Sequence, residues 1–530
     1  MNLSSKPSHQ QTPDIRTQYI QSVAVTASQM SAIEGRVFAA GMPVAALMEK
    51  VAGLITRRIL TLYPRSVVGR VGILVGPGHN GGDALVVARE LHFQGYEVLL
   101  YCPFSSLKEL TQHHANYATS LGISSVEAVE TLSNCDLIVD GLFGFGLTRP
   151  LEGLIAEAIA QINQLSIPIV SIDLPSGLHT DTGSVLGTAI RANRTFCLGL
   201  WKQAFLHDQA LESVGEAELI DFDLPLADVQ AVLGETPDVQ RITPTGAIAA
   251  LPLPRHPTTH KYKQGHLLLV CGSGQYMGAA ILTGLAARAS GVGMLSIAVP
   301  QSLKSLLTVH LPDALIVGCP ETESGAIAHL PDSVVLAKYQ AIACGPGLSS
   351  DATGLVHQVL AASCPLVLDA DGLNSLAILG TLPTLAQRSA PTVLTPHPGE
   401  FKRLFPEVDL SDRLVAVRSA ATHSGAIVLL KGARLAIANP KGTVWVNPDS
   451  TPALARGGSG DVLTGVLGGL IAQISATQYP VSIEKIVQTS VWWHAQAAIL
   501  AKQDRTELGV DAFILTQYLI QVLQLQISGQ

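Results

Sequence analysis

The chain has 530 residues, 47% of them hydrophobic and 14% charged, with a net charge of −8. That length allows two or more domains with full cores, and so apolar a composition suits buried parallel strands with helices on both faces. With no block of Lys and Arg, the negative charge excludes a nucleic-acid surface, so small-molecule ligands are expected.

Apolar positions at helical spacing run through 26–62 and are broken by Gly41-Met42-Pro43, which predicts two helices. From Val71 the rhythm changes. A strand at 71–75, a glycine-rich loop at 76–82 and a helix at 83–93 ended by Gly95 are followed by strands at Glu97–Tyr101, 137–139 and 168–172. Such alternation implies a parallel sheet with right-handed crossovers, and it fades after about Phe222. Five prolines fall between Pro237 and Pro257, a density that predicts no regular structure there. The domain boundary is placed at this stretch, giving a Rossmann-like α/β domain over 1–236 and a second α/β domain over 237–530. The second series opens with a strand at 266–271 and a helix at 277–290. Strands at 294–299, Ala341–Cys344, Leu366–Leu368, Thr392–Leu394 and Ile427–Leu430 follow, and helices from Asp461 and from Ile483 close the chain.

Seven cysteines lie singly with no C-x-x-C pair, so neither disulfides nor a zinc site is expected and the thiols should be reduced and buried. The first twenty residues are polar and lack the apolar core of a secretory signal. Apolar stretches such as 462–474 are too short to cross a bilayer, and 280–299 is broken by Arg288. These features give a cytoplasmic protein with no membrane partner as the expectation.

The run Gly457-Gly458-Ser459-Gly460-Asp461 sets backbone amides and one carboxylate at the mouth of an apolar helix. Unpaired amides and the helix dipole favour an anion there, and Asp461 could take a hydroxyl proton while the amides hold charge on a transferring phosphoryl group. A glycine-rich turn capped by Asp461 would look the same. Four further segments each follow an apolar strand: the loop 272–280, Gly345-Pro346-Gly347-Leu348, Asp369-Ala370-Asp371 and Thr395-Pro396-His397-Pro398-Gly399-Glu400. With Lys431-Gly432-Ala433-Arg434 they should share one sheet edge and form a kinase-like nucleotide site.

In the first half Gly76-Pro77-Gly78-His79-Asn80-Gly81-Gly82-Asp83 stands between a strand and a helix, where glycines let a backbone approach a pyrophosphate. Asp140 follows one strand and Asp173, in Asp173-Leu174-Pro175-Ser176-Gly177, follows the next, so Asn80, Asp140 and Asp173 should converge. Oxygen donors beside glycine loops suit a hard cation and a nucleotide together, although each aspartate could instead cap a turn.

These first-half motifs resemble the N-terminal domain of the YjeF-type bifunctional NAD(P)H-hydrate repair enzymes over about 25–222. The resemblance implies an epimerase, an isomerase that interconverts the R and S hydrates of NADH and NADPH (NADHX and NADPHX). It assigns Asn80, Asp140 and Ser176 to potassium and Asp173 to acid–base work. Asn80, Gly81, Gly82 and Asp83 with Gly144, Phe145, Gly146, Leu147, Thr148, Arg149 and Pro150 would hold the dinucleotide. Some relatives carry a lysine after the Gly-Phe-x-Phe stretch, where this chain has Arg149, which cannot give up its proton. Asp173 is therefore expected to act alone.

The second-half order is similar to the ADP- or ATP-dependent NAD(P)H-hydrate dehydratases, lyases of the ribokinase-like superfamily, over about 243–527. By this resemblance Asp461 activates the hydroxyl of the hydrate and Gly458, Ser459 and Gly460 form the anion hole. Lys431, Gly432, Ala433, Arg434 and Leu435 with that loop would bind the adenine nucleotide, and Ala280, Gly347, His397 and Asp461 would touch the hydrate. ADP is the expected co-substrate, Mg2+ the expected ion, and a homo-oligomer the expected assembly. Two alternatives stay open: a small-alcohol kinase, and a non-catalytic first domain.

Overall fold

The computed structural model describes residues 15–477 and 479–528. By compactness the chain divides into two units, Ile15–Pro237 and Asp238–Gln530.

In the first unit, seven strands form one all-parallel sheet. Their order is Ser124–Val126, Glu97–Tyr101, Arg70–Val75, Leu137–Gly141, Ile169–Ile172, Arg194–Leu198 and Glu216–Ile220. Side chains alternate between faces. Val71, Ile73, Val75, Val139 and Val170 enter a core with the helices Val44–Leu62 and His79–Phe93, while Leu74, Ile138 and Ile169 meet Ala158, Ile159 and Ile162 of the helix Gly153–Ile162. Both faces are thus covered, which is why these strands read as continuous apolar runs. The chain leaves Arg70–Val75 toward one side of the sheet and returns to the other at Leu137–Gly141, so a ligand crevice opens between the carboxyl ends of these two strands.

The second unit carries a ten-stranded sheet. Its order is Val239–Arg241, Val444–Asn447, Leu435–Ala438, Ile427–Leu430, Thr392–Leu394, Leu366–Leu368, Ala341–Cys344, His266–Val270, Met294–Pro300 and Leu315–Cys319. Only Leu435–Ala438 runs against its neighbours. The strand order turns between His266–Val270 and Ala341–Cys344. Helix Ser459–Thr477 packs on Met277–Ala289 through glycine: a Cβ on Gly465 would lie 2.2 Å from the Thr283 carbonyl oxygen. This helix has 19 residues, outruns the apolar stretch 462–474 at both ends and passes the length and composition of a membrane span, but 72% of its apolar window is buried inside the unit.

Three expectations are corrected. The proline-dense stretch holds the strand Val239–Arg241 and the helix Pro244–Ile248, because Pro244 falls at the first turn of the helix, where its missing N–H costs nothing. A third closing helix, Ala512–Ser528, follows the two expected. All seven cysteines are free, but Cys102 is exposed and Cys364 half-buried.

Candidate active sites

In the first unit the helix His79–Phe93 begins at Gly78, so Asn80, Gly81, Gly82 and Asp83 form its first turn and not a loop. No side chain caps that end, which leaves its amides and the positive end of the dipole toward the crevice. Gly81 is required by space, since a Cβ there would lie 1.9 Å from the Gly76 carbonyl oxygen. Asp140 lies inside its strand, not beyond it, and is fully buried. Its carboxylate accepts from Ser176 Oγ at 2.6 Å, Ser171 Oγ at 2.8 Å and the Ser176 N–H at 2.9 Å. Burial pushes its pKa up against the pull of those bonds. Ser176 Oγ also accepts the Phe143 N–H at 2.9 Å, which ties the loop after the strand to Asp140.

Asp173 holds a φ of 68°, a region that non-glycine residues seldom occupy. The Phe145 N–H donates to its Oδ2 at 2.8 Å and the Leu198 N–H to its Oδ1 at 3.3 Å. A Cβ on Gly144 would stand 3.0 Å from Asp173 Oδ2 and 3.1 Å from Asn80 Oδ1, so those two side chains meet at Gly144. Gly146 donates its N–H to Thr180 Oγ1 at 3.1 Å. Leu147 is half-buried, and Thr148, Arg149 and Pro150 are exposed.

Asp173 does not stand alone. The Lys202 ammonium donates to its Oδ1 and, at 2.6 Å, to the Leu198 carbonyl oxygen, and the two side chains are 1% and 4% exposed. Burial is the largest influence on the Lys202 pKa and lowers it, but the Asp173 charge and hydrogen bond with the charges of Cys197 and Glu34 together outweigh it, and the net direction is upward, so the lysine stays protonated. The sequence reading missed this residue because it comes from the distant two-residue strand Trp201–Lys202. Its only signal was one lysine inside the apolar run 195–206. Glu34, on the helix Ala27–Ala39, is pushed up to about 7 by burial, with Lys202 opposing and Asp173 adding to the shift. Burial, then Asp173 and Glu34, drives Asp83 well above the usual carboxylate range.

In the second unit, Asp461 sits in the first turn of Ser459–Thr477. Burial, followed by the Asp369 charge, pushes its carboxyl up to about 7, while Lys431 pulls the other way. Asp369 is buried and accepts from Thr464 Oγ1 at 2.7 Å, from the Ala370 N–H at 2.9 Å and from the Lys431 ammonium. A Cβ on Gly460 would lie 3.2 Å from Lys431 Nζ and 3.6 Å from Asp369 Oδ2. Gly458 has a φ of 88°, the left-handed region that lets the chain turn into the helix. The geometry therefore gathers Asp369, Lys431, Gly460, Asp461 and Thr464, of which the sequence reading left out Thr464.

The remaining residues hold the rim. Gly432 and Ala433 are exposed, Leu435 opens a strand, and the Arg434 guanidinium donates to the Pro448 carbonyl oxygen. Arg413 braces this loop through the carbonyl oxygens of Lys431 at 3.0 Å and Leu430 at 3.2 Å. His397 caps the helix Pro398–Leu404: its Nδ1 accepts the N–H groups of Gly399 and Glu400 at 3.0 and 3.3 Å. An accepting Nδ1 leaves the proton on Nε2 in the neutral ring, and Nε2 lies 3.4 Å from Glu400 Oε1, so both ring nitrogens face the first turn of this helix. Gly347, with φ 64°, lies against Tyr276, and Ala280 is fully buried, where its methyl supports the Gly272 turn.

Two family models match the chain, the YjeF-related protein N-terminus over residues 44–204 and NAD(P)H-hydrate dehydratase over residues 267–521. The bifunctional NAD(P)H-hydrate repair enzyme Nnr of Synechocystis sp. is 57% identical over 496 residues, 94% of either chain. That of Thermosynechococcus vestitus is 54% identical over 508 residues, 96% of this chain and 98% of its own. A solved ADP/ATP-dependent NAD(P)H-hydrate dehydratase from Bacillus subtilis, co-crystallized with ATP and Mg2+, is 32% identical over 54% of this chain and 97% of its own, at a TM-score of 0.46. With both parts matched and relatives aligned across nearly their whole length, the chain belongs to the bifunctional NAD(P)H-hydrate repair enzymes, an epimerase domain joined to a dehydratase domain.

Proposed function

We propose that Asp173 and Lys202 exchange protons during epimerisation of the R and S hydrates of NADH and NADPH, and that Asp461 serves phosphoryl transfer from ADP to the hydroxyl of the S hydrate. The observation that carries this reading is a carboxyl held near pH 7 at a helix N-terminus, one residue from Gly460 and beside Lys431. Such a group takes a hydroxyl proton at working pH. The amides of 458–460 and the Lys431 ammonium then hold charge on the moving phosphoryl group. Phosphate leaves the ring carbon with its bonding pair, the ring nitrogen supplies the replacing pair, and loss of a proton from the adjacent carbon restores NAD(P)H. AMP and phosphate are the other products. In the first unit the C–O bond opens and closes again on the other face, with Lys202 to donate to the departing oxygen and Asp173 to accept on return.

Potassium fits the first site by donor chemistry. Asp140 is a buried carboxylate whose hydrogen bonds come from hydroxyls and amides, and a cation held by Asn80, Asp140 and Ser176 would offset that burial. The Asn80 Nδ2 is itself buried without a hydrogen-bond partner. Mg2+ would travel on the phosphates of ADP and screen their charge, since Asp369 is already engaged by Lys431 and Thr464.

Mixed hydrate epimers supplied with ADP or ATP test the reading, through the returning absorbance of the reduced nicotinamide and through free phosphate. The parent should convert all substrate, whereas Asp173→Ala should stop once the S form is used, apart from slow spontaneous epimerisation. Complete, fast conversion by that variant would remove Asp173 from the mechanism. Accumulation of a stable phosphorylated hydrate would assign a small-alcohol kinase in place of the dehydratase.

A further inference from the structure

His494 has no part in the chemistry above, yet it is a buried imidazole, 6% exposed, on the helix Ile483–Arg505. Its Nε2 lies 3.0 Å from the carbonyl oxygen of Ser459. A carbonyl only accepts, so Nε2 carries the proton and donates. Burial pushes the imidazole down to about 4; the Ser459 bond opposes that shift and Lys431 adds to it. The ring is therefore neutral at physiological pH and kept in one tautomer by the bond.

The Ser459–Gly460 peptide is trans, the single cis bond among the described residues being Leu253–Pro254. Across a trans peptide the C=O and N–H point to opposite sides. Fastening the Ser459 carbonyl thus also fixes where the Gly460 N–H points, and at the first turn of a helix that direction is the open N-terminal end. Asp461 belongs to the next peptide plane, which the helical φ and ψ of Gly460 join to this one. From this geometry we infer that His494 is a positioning residue for phosphoryl transfer, aiming the Gly460 amide and Asp461 at the phosphoryl group through the Ser459 carbonyl. The inference rests on the reading of 458–461 as the phosphoryl site.

The full chain carrying His494→Leu, which removes the donor, is compared with His494→Gln, which keeps an N–H of similar reach, and His494→Asn, whose N–H falls short. Misaiming by a fraction of an ångström to one ångström costs on the order of 10–100-fold in rate. The Leu variant should lose that much in kcat for dehydration, with the KM for the hydrate within a few-fold and epimerisation unchanged. The Gln variant should recover most of the loss and Asn little of it, at matched melting temperatures. Equal kcat in Gln and Asn overturns the inference, as does a loss in Leu that follows melting temperature alone. Should Leu fail to fold, the Gln and Asn pair decides. Asp461→Asn run alongside separates the two failures: a flat His494 series with an inactive Asp461→Asn sinks the inference only, whereas an active Asp461→Asn sinks the site reading and the inference with it.

Discussion

Lys202 and Asp173 form an ion pair withdrawn from water, although one sits in the strand Trp201–Lys202 and the other follows the strand Ile169–Ile172, 29 residues apart. Removing one partner leaves the other charged and bare, a loss of about 3–5 kcal/mol for a buried pair. Lys202→Met should therefore lower the melting temperature of a fragment ending at Pro237 and abolish epimerisation, while dehydration of the S hydrate by the full chain continues. Lys202→Met with Asp173→Leu should regain most of the stability and none of the activity. Calorimetry and epimer-resolved chromatography check both; a double variant no more stable than either single one would contradict the pairing.

The dehydration rate should depend on pH through Asp461. Its carboxylate form is the base, and with the pKa raised to about 7 the protonated, inactive form grows as pH falls. The kcat/KM for dehydration should decline tenfold per unit well below pH 7 and level off above it. Asp461→Asn should lose about 10²–10⁴-fold and flatten that limb, with epimerisation intact. A parent profile flat from pH 5 to 8 would remove Asp461 as the base.

The place of the cut between the halves matters. Cutting between Pro237 and Asp238 should give two fragments that each unfold cooperatively. A C-terminal fragment starting at Thr258 lacks Val239–Arg241, which pairs with Val444–Asn447, and should melt lower and aggregate more readily through the bared edge. Equal melting of the two C-terminal fragments would show that the strand contributes nothing.

Gly465→Ala should separate the helices Met277–Ala289 and Ser459–Thr477, because its Cβ would lie 2.2 Å from the Thr283 carbonyl oxygen and 2.8 Å from the Ala286 Cβ. Overpacking of this kind costs about 1–3 kcal/mol. Thermal melts should show the loss, and dehydration should weaken with it, since Asp461 lies in the first turn of the displaced helix.

Much of this was legible in the chain. The strands around the two glycine loops declare themselves as short apolar runs, and the residues after them reach the sheet edge by topology alone, which is why Asn80, Asp173, Lys431 and Asp461 could be named from spacing. What escaped depends on tertiary approach. Lys202 reaches Asp173 from a two-stranded sheet separate from the one whose strand Asp173 follows, and Thr464 reaches Asp369 from a helix 95 residues later, so neither leaves a local pattern. The strand Val239–Arg241 was hidden by its prolines, which flank it without entering it.

That strand also sets an order of events during synthesis. Its partner Val444–Asn447 lies on the order of two hundred residues downstream, so at about 5–20 residues per second the ribosome needs roughly 10–40 s to deliver it. Every strand of the first unit has by then emerged. The epimerase half can finish folding while the edge of the dehydratase sheet still waits, and the waiting segment begins directly after Pro237. A nascent chain paused before Val444 should already bind the hydrates at its first site and be unable to dehydrate them.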